Sequence, residues 1–165
     1  TLWHHYNKME VIPMSNTVFS PVTSQQMTFT DSFGEPMYKA LVPWKQESVW
    51  IDVSTGTDQP LTPAQLDQVN AELCWLWDNW HLVEAQFGEG SELLREKNQN
   101  LFEDEQPYDA AAFAAQILLE AIQLNLAQDK VDSLQLWYDD GELFGGASIL
   151  LEWKEHALSH IHIQD

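Results

Sequence analysis

Cysteine is almost missing from this chain of 165 residues. Cys74 stands alone, so no internal disulfide is available, and the expected setting is a reducing compartment, the cytoplasm. Basic residues are nearly as scarce: seven Lys and Arg face 26 Asp and Glu, a net charge of −19. A field of that sign repels nucleic acid and anionic membranes, so neither is an expected partner. No run reaches the roughly 18 apolar residues a membrane-spanning helix needs. Gly-x-Ser-x-Gly, His-Glu-x-x-His and Cys-x-x-Cys are all missing. The glycine-rich "LFGGAS" leads into a strand rather than a helix, which makes it no phosphate cradle. "YDDGEL" lacks the ligand spacing of a calcium loop and reads as a hairpin turn. With no catalytic constellation in view, neither an enzyme nor a cofactor is expected.

What is abundant is apolar and acidic. Hydrophobic residues make up 44%, with eight Trp and seven Phe, which calls for one packed domain rather than a disordered chain. The chain opens on Thr, and its first residues carry no apolar core of a secretory signal. Residues 1–14 therefore read as a leader or a non-native start, with Met9 or Met14 as the natural first residue, and residues 15–165 as a single α+β domain. His4 and His5 fall in that leader and carry no weight. The charge is uneven. Residues 1–60 hold six acidic and three basic side chains, a net of −3, whereas residues 61–165 hold twenty and four, a net of −16. Solubility alone is one use for such charge; attraction of a cationic protein at a steered rate is another.

The elements follow an order of strands, helices, strands. After a polar lead-in at residues 15–26, "MTFTDSFGEPMYKALVPWKQESVWIDVSTG" has the alternation and turn chemistry of two or three antiparallel strands. Thr62, Pro63 and Gln65 form a capping-box helix start. Leu66, Val69, Leu73, Leu76, Trp80, Val83 and Phe87 then step down one face until Gly88-Glu89-Gly90, with a break expected near Asp78-Asn79. A short helix is expected over Ser91–Asn100 and a third over residues 109–126, whose small residues suggest close packing against a neighbour. "SLQLWYDDGELFGGASILLEW" and "ALSHIHI" return to strands. The expectation is α+β: N-terminal antiparallel strands, two to three central helices, and C-terminal antiparallel strands in one sheet packed on the helices.

Three groups of side chains are candidates for function. The first is Glu72, Trp75 and Asp78 on the first helix, where Trp75 lies off the apolar stripe and, if exposed among acids, suits a basic protein partner as an anchor. The second is "NLFEDEQPYD", where Glu103, Asp104, Glu105 and Asp109 surround Phe102 and Tyr108 and are able to mimic the face of a nucleic acid toward a cationic cleft. The third is the C-terminal set His156, His160 and His162. His160 and His162 share one face of a strand, and with Glu152 or Glu155 they offer an alternative reading as a metal-binding domain or metal-dependent enzyme. Against that, the strand turns Ile161 and Ile163 to the opposite face, and structural histidines are the commoner outcome. Cys74, inside "ELCWLW", is expected to be buried and inert.

"LTPAQLDQVNAELCWLWDNWHLVEAQ" and "DDGELFGGASILLEWKEHALSHIHI" together resemble a group of small bacterial domains of unknown function. Their closing pattern runs a strand into an aromatic–charged–Glu-His turn and a final strand, matched here by Trp153, Glu155, His156 and Leu158. Lys154 and Ala157 depart from it, standing where an acid and a glycine are usual. The resemblance spans residues 27–163. Members of that group resemble immunity proteins of polymorphic or contact-dependent toxin systems. What the resemblance implies is a cytoplasmic antitoxin-like binder without catalysis of its own, which neutralises a cognate basic toxin domain, a nuclease being the expected kind.

Overall fold

The computed structural model describes residues 20–32 and 34–165; the expectations for residues 1–14, the histidines at 4 and 5 included, lie outside them. Strands β1 (Thr28–Ser32), β2 (Glu35–Trp44) and β3 (Glu47–Ser54) form an antiparallel meander. Then come helices α1 (Pro63–Asp78) and α2 (Trp80–Glu84), a 3₁₀ turn at Ala85–Phe87, and helices α3 (Glu92–Gln99) and α4 (Ala110–Gln116). A second meander closes the chain: β4 (Leu118–Ala127), β5 (Lys130–Asp139), β6 (Ser148–Lys154) and β7 (Ala157–Gln164). All seven strands make one sheet in sequence order, so the α+β class expected from the chain is the class observed.

Two expectations change. Residues 109–126 are not one helix: α4 ends at Gln116, and Leu118–Ala127 is the middle strand of the sheet. The reason is periodicity, because Ile122, Leu124 and Leu126 alternate strictly and all three are buried, which a helix cannot achieve. The sheet is also not wholly antiparallel. β3 and β4 run parallel, pairing Trp50–Ser54 with Ala121–Asn125, because the chain crosses back through residues 55–117 before re-entering the sheet.

The helix start is as its residues dictate. The Thr62 hydroxyl accepts from the Gln65 amide at 3.1 Å, and the Gln65 side chain accepts from the Thr62 amide at 2.9 Å. The helix breaks at Asn79, whose side-chain amide donates to the Trp75 carbonyl at 2.8 Å. Val69, Leu73, Leu76, Val83 and Phe87 are buried in a single core with Trp44, Ile51, Leu124, Leu136 and Leu151 of the sheet. Each large apolar side chain fully withdrawn from water there contributes about 1.5–3 kcal/mol. Trp44 is the hub: its ring meets Trp77 edge-on at 5.1 Å and Trp80 at 5.8 Å.

Strand alternation sends a second set of side chains to the opposite face. Register lines up Leu41, Trp50, Ala121, Trp137, Leu150 and His162 in one row across six strands. The next row is polar: Lys39, Asp52, Gln123, Gln135, Glu152 and His160. Leu41 and Trp50, at one end of the apolar row, are 55% and 45% exposed.

Candidate functional site

Three residues from two different candidate groups meet at the C-terminal hairpin. The turn between β6 and β7 is Glu155-His156, and both residues have positive φ, 50° and 65°. A two-residue turn of that hand matches the twist of a hairpin but is costly without glycine, roughly 1–2 kcal/mol per residue. The turn is held from outside. The His156 imidazole stacks on the Trp75 indole at 4.1 Å and 7°, and its Nε2 lies 3.1 Å from both carboxylate oxygens of Glu72. Trp153 meets Trp75 edge-on, ring centroids 6.2 Å apart. Trp75 is thus half-buried and engaged rather than an exposed anchor, while Asp78, one turn further, is exposed. Cys74 is half-buried rather than buried, with Sγ 4.0 Å from Asp78. A shallow cavity of about 270 Å³ opens beside the cluster, bordered by Gln68, Lys130, Asp132 and Glu155.

The acidic loop is built around a buried lysine. Lys97, on the inner face of α3 with Leu93 and Leu94, is fully buried, and its Nζ lies 2.7 Å from Glu105. The Glu105 carboxylate also accepts from the Phe102 amide at 2.7 Å and the Tyr108 hydroxyl at 2.6 Å. Bonding to Lys97, then to Tyr108 and Phe102, draws the Glu105 pKa down to about 2. The same bond to Glu105, with burial, pushes the Tyr108 hydroxyl up. Asn98 completes the staple: its side-chain oxygen accepts from the Tyr108 amide at 2.8 Å, and its side-chain nitrogen donates to the Tyr108 carbonyl at 2.9 Å. Glu105 and Tyr108 are therefore committed inside the domain, and Asp109 caps α4 by accepting from Ala112 at 2.7 Å. Glu103, Asp104 and Phe102 remain outward, Phe102 at 51% exposure with its ring 4.0 Å from the Lys97 ammonium.

The C-terminal histidines do not converge. His160 and His162 lie side by side on the polar and apolar rows, ring centroids 5.4 Å apart, whereas His156 sits in the turn against α1. Among the described residues no three His, Cys, Asp or Glu side chains come together as a metal site. In the β5–β6 connection the buried Asp140 carboxylate takes four backbone amides, those of Glu142, Phe144, Gly146 and Ala147, at 2.9–3.2 Å. Its lone pairs are spent on the loop, which explains why a sequence superficially like a calcium loop is a structural one.

Burial of Lys97 sharpens the charge imbalance. Between residues 61 and 117, Asp67, Asp78, Glu84, Glu89, Glu92 and Glu96 are exposed, and so are Glu103, Asp104 and Asp109. Arg95 is the one exposed basic residue in that span. The helical span thus exposes nine carboxylates with a single exposed Lys or Arg, Arg95, to offset them.

One feature was not anticipated from the sequence. A cavity of about 500 Å³ lies where α2, α4 and the Trp44 end of β2 meet β4 and β5. Trp44, Trp80, Phe87 and Tyr138 supply aromatic walls, and Ala110, Ala111 and Ala114 of α4 border it. The alanines expected to allow close packing instead leave open space. Lys45, Glu47 and Glu84 bring charge to the lining.

No family model matches the chain, and no curated protein or solved structure matches it either. No helix among the described residues is long and apolar enough to cross a membrane.

Proposed function

We propose that this chain is an immunity protein, a cytoplasmic binder that neutralises a cognate cationic toxin domain, of the nuclease kind, by covering its active cleft. The observation that carries this reading is the run of nine exposed carboxylates against Arg95 alone on the helical half of the domain. A nucleic-acid-cleaving domain has to present a basic cleft to its substrate, and an ordered acidic surface competes for that cleft by steric and electrostatic means. Rigidity matters to such a competitor. The Lys97–Glu105–Tyr108 staple fixes the loop, so Glu103 and Asp104 are presented with little ordering cost on binding. Phe102, exposed between them and the helix, replaces Trp75 and Tyr108 as the aromatic anchor in this reading.

The test is affinity capture from the source cells with this chain as bait, at low and then high salt, followed by mass spectrometry. The reading requires one basic partner in near-stoichiometric amount, toxic when expressed alone and silenced by co-expression of this chain. A captured partner that is not toxic, or toxicity that persists on co-expression, overturns it.

A further inference from the structure

We propose that the cavity between α2, α4 and the sheet binds a small organic cation, an aromatic or aliphatic ring system carrying a primary ammonium group. The proposal is independent of the immunity reading. Its first support is shape and lining. About 500 Å³ falls within the range of sites for small organic molecules, and the walls are aromatic surfaces of Trp44, Trp80 and Phe87. A cavity of that size would shrink with one larger residue on α4, yet that helix presents alanine at 110, 111 and 114.

The second support is a polar group. Tyr138 is only 5% exposed, its ring set edge-on to Phe87 at 4.8 Å, and its hydroxyl makes no hydrogen bond among the described residues. That hydroxyl is uncommitted rather than sealed off, a donor and acceptor on a residue that lines the cavity. Burial, together with the neighbouring Glu84 carboxylate, pushes its pKa up, so it stays a neutral phenol whose oxygen accepts and whose proton donates.

The charge at the lining sets the sign of the ligand. Glu84 and Glu47 offer two carboxylates. Among the described residues that line it the cation is Lys45, whose ammonium lies 3.7 Å over the Trp77 ring. Glu84 and Tyr138 both line the cavity, so a bound ammonium group has a carboxylate to offset its charge and a phenol oxygen to accept from it, while its ring occupies the Trp44–Trp80–Phe87 walls. A carboxylate ligand would meet repulsion at the same place.

The experiment is calorimetric titration of the full chain with tryptamine, the neutral analogue tryptophol and the anionic analogue indole-3-propionate, with amide NMR shifts locating the site. Tryptamine is expected to bind one to one, roughly tenfold or more tighter than either analogue, with shifts at Gly88, Ala110 and Ala114. Glu84→Gln should remove most of that preference, whereas Asp129→Asn, the same charge change at a distant turn, should not. Tyr138→Phe should weaken tryptamine more than tryptophol. Ala114→Phe, at an exposed position of α4, should block all three at an unchanged thermal midpoint. Equal affinity for the three probes, no binding at millimolar concentration, or an equal effect of Glu84→Gln and Asp129→Asn would each overturn the proposal. The last outcome would assign any cation preference to the overall field of the protein.

Discussion

The His156 imidazole lies flat on the Trp75 indole, 4.1 Å between ring centroids and 7° between planes, while its Nε2 faces the Glu72 carboxylate. One side chain of a strained turn is thereby tied to two positions on α1, one turn apart. The hairpin pays for its backbone with these contacts, and the two effects can be separated by choice of substitution.

At position 156, Ala removes the stack and the carboxylate contact but keeps the Cβ at positive φ, whereas Gly removes the contacts and relieves the backbone. His156→Ala should lower unfolding free energy by about 1–2 kcal/mol, and His156→Gly by about 0.5–1 kcal/mol less than that. Urea denaturation of the two variants checks the order. Equal losses would mean that the turn carries no strain.

Acid should loosen the loop at residues 101–109. Glu105 has its pKa drawn from an ordinary 4.5 to about 2 by Lys97, Tyr108 and the Phe102 amide. A carboxylate whose folded pKa is depressed stabilises the fold above its unfolded value, and that contribution is lost as pH falls through the folded one. Stability should therefore decline as pH drops from about 4.5 toward 2, followed by hydrogen exchange at Phe102 and Tyr108. Lys97→Met should flatten that acid limb and lower the urea midpoint even at neutral pH, since it leaves Glu105 without its cation.

The β5–β6 loop tests close approach against backbone freedom. A Cβ added at Gly141 would come within 2.1 Å of the Gln116 carbonyl oxygen, at φ +58°; one added at Gly145, φ +83°, would meet nothing within 4 Å. Gly145→Ala should cost about 1 kcal/mol, the penalty of the left-handed backbone alone. Gly141→Ala should cost about 2 kcal/mol or more beyond that, because backbone atoms and not a flexible side chain stand in the way. Thermal denaturation of the pair gives the difference.

For the proposed toxin partner, the combined variant Glu103→Gln, Asp104→Asn should slow association roughly threefold to tenfold at low salt, with dissociation nearly unchanged. The ratio should shrink toward one as ionic strength rises. Surface plasmon resonance across a salt series separates the two rates. Salt-insensitive association would remove the electrostatic part of the mechanism.

Residue chemistry revealed local structure better than pairing. Thr62, Pro63 and Gln65 announced α1, and its break near Asn79 followed, because capping and stripe spacing are encoded within a turn or two. Ile122, Leu124 and Leu126 carry a strand period, but the alanines before them carry a helix signal that masks it, and with the strand hidden its parallel pairing is hidden too. A β-bulge between Leu119 and Ala121 shifts the alternation just where the strand begins and hides the change of period. Among the candidate residues, Glu72, Trp75 and His156 were each legible, but their meeting was not, since residues 72 and 156 are brought together only by the helix lying beside the last hairpin. Lys97 is not among those candidates; its i+3 and i+4 spacing from Leu94 and Leu93 is the signal that places it inward. The cavity left no motif at all, being an absence of volume along the alanines of α4.

The single parallel pairing also sets a kinetic order. β1–β3 and β4–β7 are hairpin meanders whose pairings close short loops, whereas β3 and β4 meet only after residues 55–117 have been folded between them. Closing that long loop is the entropically expensive step, and it is repaid only when Ile51 and Ile122 come into register at the centre of the sheet. The two meanders are thus the parts of the sheet whose pairings are local in sequence, and the helical segment is the linker whose closure joins them into one sheet.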